Sequence, residues 1–245
     1  MCTLSFFPKN DKNGFVLTFS RDEAAARSSV DIVQDEQRGL VYPKDVLHGG
    51  TWLALSLRTG RFTCLLNGAF ERHERILPYR KSRGLVVLDS FDYADISDFY
   101  EYYDFENIEP FTLLTFQNQQ LFQFRWDGKQ RHIDKLDILK PFLRSSCTLY
   151  NQAVRQERET WFFDFLEQKK TKIEASDLWD FHQTPHSEAP EKGILMHRPL
   201  GPSTVSITQL NYSFSSQLID FQYYELGKQG IRHHHFAYGT NALQV

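Results

Sequence analysis

The chain has 245 residues, with 28 Lys+Arg against 31 Asp+Glu for a net charge of -3, and it is 41% hydrophobic and 24% charged. These proportions supply a full core and exclude a disordered or fibrous chain, and near-neutral charge without a basic run argues against nucleic-acid binding. Three cysteines, Cys2, Cys64 and Cys147, make neither a disulfide framework nor a CxxC metal site and fit a reducing, cytoplasmic setting. Charge and proline interrupt residues 1–20, and the longest aliphatic run, 85–88, is too short for a membrane anchor.

Residues 3–7 and 15–19 are predicted strands around a Lys12-Asn13-Gly14 turn. The polar stretch 24–45 has no clear period. Gly49-Gly50 then opens a second hairpin, 51–57 and 62–67, turning at Arg58-Thr59-Gly60-Arg61. Residues 82–91 suit a short helix with Ser82 as N-cap, although the valine pair also suits a strand, and 96–105 is expected to be helical. A third hairpin joins 111–117 to 121–126, with a further turn at Asp127-Gly128. Residues 152–169 give the clearest helix, with Val154, Trp161, Phe162, Phe165 and Leu166 on one face, and a shorter helix starts near Ser176. After a proline-rich loop over 182–202, strands return at 204–210, 217–226 and 232–238. Without a repeat or a compositional break, the pattern indicates a single α+β domain over 1–245.

A cysteine at position 2 gains unusual chemistry if Met1 is removed. Its own α-amine, with a pKa of about 7.7 to 8.0, then lies next to a thiol of about 8.5, and the amine can serve as general base for the sulfur. The opposing view is an incidental thiol on a fraying end.

The opening MCTLSFFP, the runs FSRDEAAAR, HGGTWLALS and GRFTCLLNGAFERH, and RKSRGLVVLDSF resemble the transport and Golgi organisation 2 family, also called the NRDE family. TLYNQAVRQERETWF and GPSTVSIT resemble its later segments more weakly. The resemblance implies a four-layer αββα sandwich of the N-terminal nucleophile hydrolase type, with mostly antiparallel sheets. It also implies a likeness to choloylglycine and penicillin acylases, which cleave amides with the cysteine at position 2. On that basis Cys2 is the nucleophile, Arg21 the cation beside it and Asp22 a nearby carboxylate. Asn67 and Asn151 match amide donors to the oxyanion.

Each role has a structural rival. Arg21 favours thiolate or grips a substrate carboxylate, or else it pairs with Asp22 or Glu23. Asp22 orients the α-ammonium, or it is the acid at the start of a helix over 24–27. Asn67-Gly68 is also a turn dipeptide, and Asn151 an N-cap. The sequence departs from the family where its first motif letter is Ser20. It departs again where a Gly-Thr-Arg segment reads Gly201-Pro202-Ser203, leaving Arg198 as the nearest cation.

Elsewhere, His233 and His235 share a strand face without a further acid at ligand spacing, which reads as a solvated strand. His182, His186 and His197 lie in or beside the proline-rich loop, where a contact to a haem iron or a metal is possible but no other residue supports it. Phe99, Tyr100, Tyr102, Tyr103 and Phe105 form core or line an apolar groove. Two functions follow. One is a cofactor-independent hydrolase for an amide or thioester of a hydrophobic acyl compound. The other is a non-catalytic carrier or chaperone for haem, acyl-CoA or a related lipid, as the family's links to haem mobilisation and lipid metabolism imply.

Overall fold

The computed structural model describes residues 2–24, 27, 29–170, 172–228 and 230–239. The chain opens with β1 (Cys2–Pro8) and β2 (Phe15–Glu23), followed by β3 (Ser29–Asp35), β4 (Leu40–Asp45), β5 (Leu53–Ser56) and β6 (Phe62–Asn67). Helices α1 (Arg83–Asp89) and α2 (Ile96–Tyr102) precede β7 (Phe111–Gln117), β8 (Gln120–Trp126), β9 (Arg131–Leu136) and β10 (Phe142–Ser145). Then come α3 (Gln152–Lys169), α4 (Ala175–Gln183), β11 (Ser203–Ser213), β12 (Leu218–Glu225) and β13 (Arg232–Ala237). The described residues therefore form a mixed α+β protein, mostly strand, with two antiparallel sheets and four α-helices.

They fall into two compact units. The first draws on Met1–Ala26 and Ile138–Ala237, and its sheet has the order β10-β1-β2-β11-β12-β13. The strand that begins at Cys2 is thus interior, hydrogen-bonded on both edges. At one end of this sheet Phe7, Val16 and Leu143 pack against Phe162 of α3 and Leu178 and Phe181 of α4. Elsewhere the same face is polar, with Ser5, Thr18, Ser20 and Gln209 buried under or beside the helices. The opposite face carries Leu4, Phe6, Phe15, Leu17 and Phe19.

The second unit draws on Arg27–Asp137 and Tyr238–Val245, with the order β3-β4-β5-β6-β7-β8-β9. Its core is aromatic. Tyr100 stacks on Phe124 at 4.6 Å, and Phe105 touches Phe124 at 4.9 Å and Trp126 at 5.7 Å between centroids. Of the aromatic residues predicted to form core or groove, Phe99, Tyr100, Tyr103 and Phe105 are core, and only Tyr102 is exposed. Gly50 and Gly84 are needed where α1 meets the entry to β5. A Cβ on Gly50 would stand 2.4 Å from the Gly84 carbonyl carbon, and the Gly84 oxygen accepts from Thr51 N at 3.0 Å.

Three expectations need correction. The stretch without a period contains β3 and β4: β3 is an edge strand, and Pro43-Lys44 in β4 obscure its alternation. β9 was hidden for a similar reason, because this other edge strand is largely solvated and shows no apolar period. Asp22 lies within β2, so it is not the acid at the start of a helix. Residues 25, 26 and 28, part of that expected helix and its flank, lie outside the described residues. Ser82 holds the N-cap position of α1, but its hydroxyl makes no capping bond.

Candidate active site

The antiparallel register sets the site. Cys2 lies opposite Arg21, and Arg21 lies opposite Ser206 of β11, which in turn lies opposite Glu225 of β12. Residues directly opposed in antiparallel strands face the same side, so these four side chains form a row across β1, β2, β11 and β12. All are buried, Cys2 at 4%, Arg21 at 3% and Ser206 at 1% exposure. Arg21 lies 4.0 Å from Glu23, the next residue on its own face. The Ser206 hydroxyl has no hydrogen-bond partner among the described residues, and Glu225 Oε2 lies 3.0 Å from Lys228 Nζ.

The backbone of Cys2 is fixed as firmly as its neighbours. Beyond the β2 ladder, Ser146 N donates to the Cys2 carbonyl at 2.9 Å. Burial pushes the thiol pKa up, with Arg21 pulling against it. Met1, whose removal would expose the amine of Cys2, lies outside the described residues.

Asp22 points to the other face, as strand alternation requires. Its Oδ1 accepts from Thr204 Oγ1 at 2.7 Å and its Oδ2 from the Tyr150 hydroxyl at 2.8 Å. Tyr150 in turn accepts from Arg158 Nη2 at 2.9 Å, and the guanidinium lies 3.7 Å over the Tyr150 ring. Arg158, on α3, is fully buried. It donates also to Thr3 Oγ1, Ser145 Oγ and the carbonyls of Lys192 and Gly193. Burial pushes the Asp22 carboxyl pKa up, while Arg158 and the two hydroxyl donors pull it down. The Tyr150 hydroxyl is held well above its usual range by burial and by the Asp22 charge.

The remaining predicted residues lie on other elements. Asn67 ends β6 in the second unit, opposite Phe111 of β7; Gly68 takes φ +80° and its N–H donates to the Pro110 carbonyl, which continues the β6–β7 pairing. Asn151 caps α3, its Oδ1 accepting from Val154 N at 3.0 Å. Arg198, nearest to the missing late arginine, is half-buried, and its charge reaches Tyr150. Of the histidines considered for haem, His182 lies on α4 with Nε2 2.8 Å from Ser5 Oγ and Nδ1 2.7 Å from Ser20 Oγ. Both ring nitrogens are engaged within the protein, which removes it as an iron ligand in this arrangement. Ser20, the departure from the family motif, thus supports α4. His186 stacks on Trp161 at 4.0 Å.

Sequence reasoning missed Ser206, Glu225, Tyr150, Thr204 and Arg158. Plain alternation would put Thr204 and Ser206 on one side, but the bulge between them turns Thr204 to the Asp22 face and Ser206 to the Arg21 face, which appears only in the register. Arg158 left no mark in the sequence, because no apolar pattern signals a buried cation.

The fold and this row define a class: a mixed α+β protein of two antiparallel sheets in which the cysteine at position 2 opens an interior strand beside a buried arginine. The family model for transport and Golgi organisation 2 matches residues 1–245, and the chain belongs to that family. A search of curated proteins found no match. Among the described residues, no helix is long and apolar enough to cross a membrane.

Proposed function

We propose that the chain is a cytoplasmic N-terminal-cysteine hydrolase with the αββα fold of the N-terminal nucleophile type, acting on an amide or thioester of a hydrophobic acyl compound. The observation that carries this reading is the buried Cys2–Arg21–Ser206 row on a strand fixed along both edges. After loss of Met1, the Cys2 amine takes the thiol proton and the sulfur adds to the substrate carbonyl. The bond to the leaving amine or thiol breaks as that group takes the proton. Water then hydrolyses the acyl thioester and restores the thiol. Arg21 holds the thiolate or a substrate carboxylate, and the unpartnered Ser206 hydroxyl offers a hydrogen bond beside it. Asn67 and Asn151 are the amides assigned to the oxyanion by the family pattern, each worth about 3 kcal/mol in such a role. Asp22 acts behind the strand, holding its end through Thr204 and Tyr150. No cofactor enters this chemistry.

One observation favours a second reading, carriage of haem, acyl-CoA or a related lipid: burial favours the protonated Cys2 thiol. The deciding experiment is intact-mass analysis of chain isolated from cells, with turnover of palmitoyl-CoA and a long-chain N-acyl amide. Hydrolysis predicts an N-terminus at Cys2, one iodoacetamide adduct there, and turnover reduced roughly a thousandfold or more in Cys2→Ala. A chain that keeps Met1 in cells sinks the mechanism. Binding of haemin or palmitoyl-CoA below about 10 μM, about -7 kcal/mol, without turnover selects the carrier.

A further inference from the structure

The histidine run at 233–235 has a partner that its sequence neighbourhood did not reveal. β13 pairs with β12 so that His235 lies opposite Asp220 and His233 opposite Gln222. Strand alternation turns both imidazoles to one side, and the register delivers the carboxylate to that side. The strand is solvated, as expected, but an acid that the sequence neighbourhood did not offer comes from the adjacent strand.

One ligand atom from each of Asp220, His233 and His235 lies within 4.8 Å of the others. His235 Nδ1 is 2.5 Å from Asp220 Oδ1, and the rings of His233 and His235 are 4.5 Å apart between centroids. We propose that Asp220, His233 and His235 form a binding site for a late first-row divalent cation, with zinc as the reference ion, on the open side of the β12–β13 pair.

The donor set sets the class of ion. Two imidazoles with one carboxylate suit zinc, copper or nickel, whereas calcium and magnesium favour all-oxygen shells. Three protein ligands leave a tetrahedral ion a position for water. Bonds of about 2.1 Å put ligand atoms about 3.4 Å apart, so the His235–Asp220 pair, now 2.5 Å apart, opens by about an ångström while the wider separations, up to 4.8 Å, close. Its two histidines are exposed and have room to do so, while the paired strands fix their Cα atoms.

A supporting shell is present. Asn211 of β11 donates through Nδ2 to Asp220 Oδ2 at 3.2 Å, leaving Oδ1 towards His235. Such outer partners orient metal-binding carboxylates. The Gln222 amide nitrogen lies 3.5 Å from His233 Nε2, a contact that metal binding would replace. Lys9 is close enough for its charge to sense Asp220, and this neighbouring cation weakens affinity without taking a ligand position. His234 faces the other side, stacked on Phe236 at 5.7 Å with rings 4° from parallel. The site shares no residue with the Cys2 row and does not rest on the hydrolase reading.

His234 makes the proposal testable, because a nonspecific histidine run would use all three imidazoles. The full chain, stripped with a chelator, is titrated with zinc by calorimetry and by competition with a chromophoric indicator. One equivalent should bind with a Kd near 10 μM or tighter. His233→Ala, His235→Ala and Asp220→Asn should each weaken binding at least tenfold, Asn211→Ala about tenfold, and His234→Phe less than twofold. Circular dichroism melts establish that each variant is folded. The site is rejected if the wild-type chain binds more weakly than about 100 μM or if His234→Phe loses as much affinity as His233→Ala. It is also rejected if a folded His233→Ala/His235→Ala chain keeps wild-type affinity.

Discussion

Facing α1 and α2, the second unit presents Leu65, Phe111, Leu113, Phe124 and Trp126 within an apolar cluster that includes Val86 and Phe99. Facing α3 and α4, the first unit presents Thr3, Ser5, Ser20 and Asp22, which bond to Arg158 or His182 of the helices or to Tyr150 just before α3. Both units place two helices with an antiparallel sheet. One joins them mainly by area removed from water, the other largely by directional bonds between buried groups. Area tolerates small displacements, whereas hydrogen bonds fix register and rotamer at an energetic risk, since each unmet partner is costly. The polar interior lies directly behind the strands that carry Cys2 and Arg21. Its function in the fold is to position those strands.

The largest test of this contrast removes one central group from each interior. Phe124→Ala should cost about 3–5 kcal/mol through lost burial and a cavity. Arg158→Met should cost about as much, because it removes the cation that offsets the burial of the Asp22 carboxyl and leaves several acceptors unpaired. The two differ in rescue. Adding Asp22→Asn to Arg158→Met should recover about half the loss, since neither partner of this buried pair is then ionisable, and urea unfolding reads the cycle directly. Absence of coupling would mean that Asp22 and Arg158 do not belong to one electrostatic unit.

A smaller test uses pH. Burial, aided by the Arg158 charge, pushes the pKa of His182 down to about 3. The folded chain therefore keeps this ring neutral where an unfolded chain, with a pKa of about 6.5, takes up a proton. Its contribution to stability is complete above about pH 6.5 and declines as pH falls toward 3, by about 2–3 kcal/mol between 6.5 and 4.5. The raised Asp22 carboxyl acts in the opposite sense, so the useful quantity is wild type minus His182→Gln. That difference should shrink by about 2–3 kcal/mol from pH 7 to 4.5 in urea titrations. A constant difference would show that His182 takes up protons equally in both states.

The same contrast explains what was legible in the sequence. The hairpins over 51–67 and 111–126 announced themselves through alternating apolar residues and turn chemistry, and α3 through its amphipathic face. The edge strands β3 and β9 escaped because solvated edges carry no apolar period. Cys2 and Arg21 were found by motif, but Ser206, Glu225 and Asp220 are brought to their partners only by pairing between strands remote in sequence. Arg158 was the hardest to see: the partners that make its burial tolerable are Thr3, Tyr150, Lys192 and Gly193, spread from one end of the first unit to the other.

The smallest expected effect separates scaffold from chemistry at Asn151. Its Oδ1 caps α3, the helix that carries Arg158, and loss of such a cap costs about 1 kcal/mol. Serine also caps but has no amide to offer an oxyanion. Asn151→Ala should therefore lower stability by about 1 kcal/mol, and Asn151→Ser by only a few tenths. If the Asn151 amide also serves the proposed hydrolase, acyl turnover should fall about a hundredfold in both variants despite their different stabilities. Turnover that follows stability alone would restrict Asn151 to the cap. The oxyanion would then have to be met by Asn67, the Ser206 hydroxyl or backbone N–H groups near Cys2.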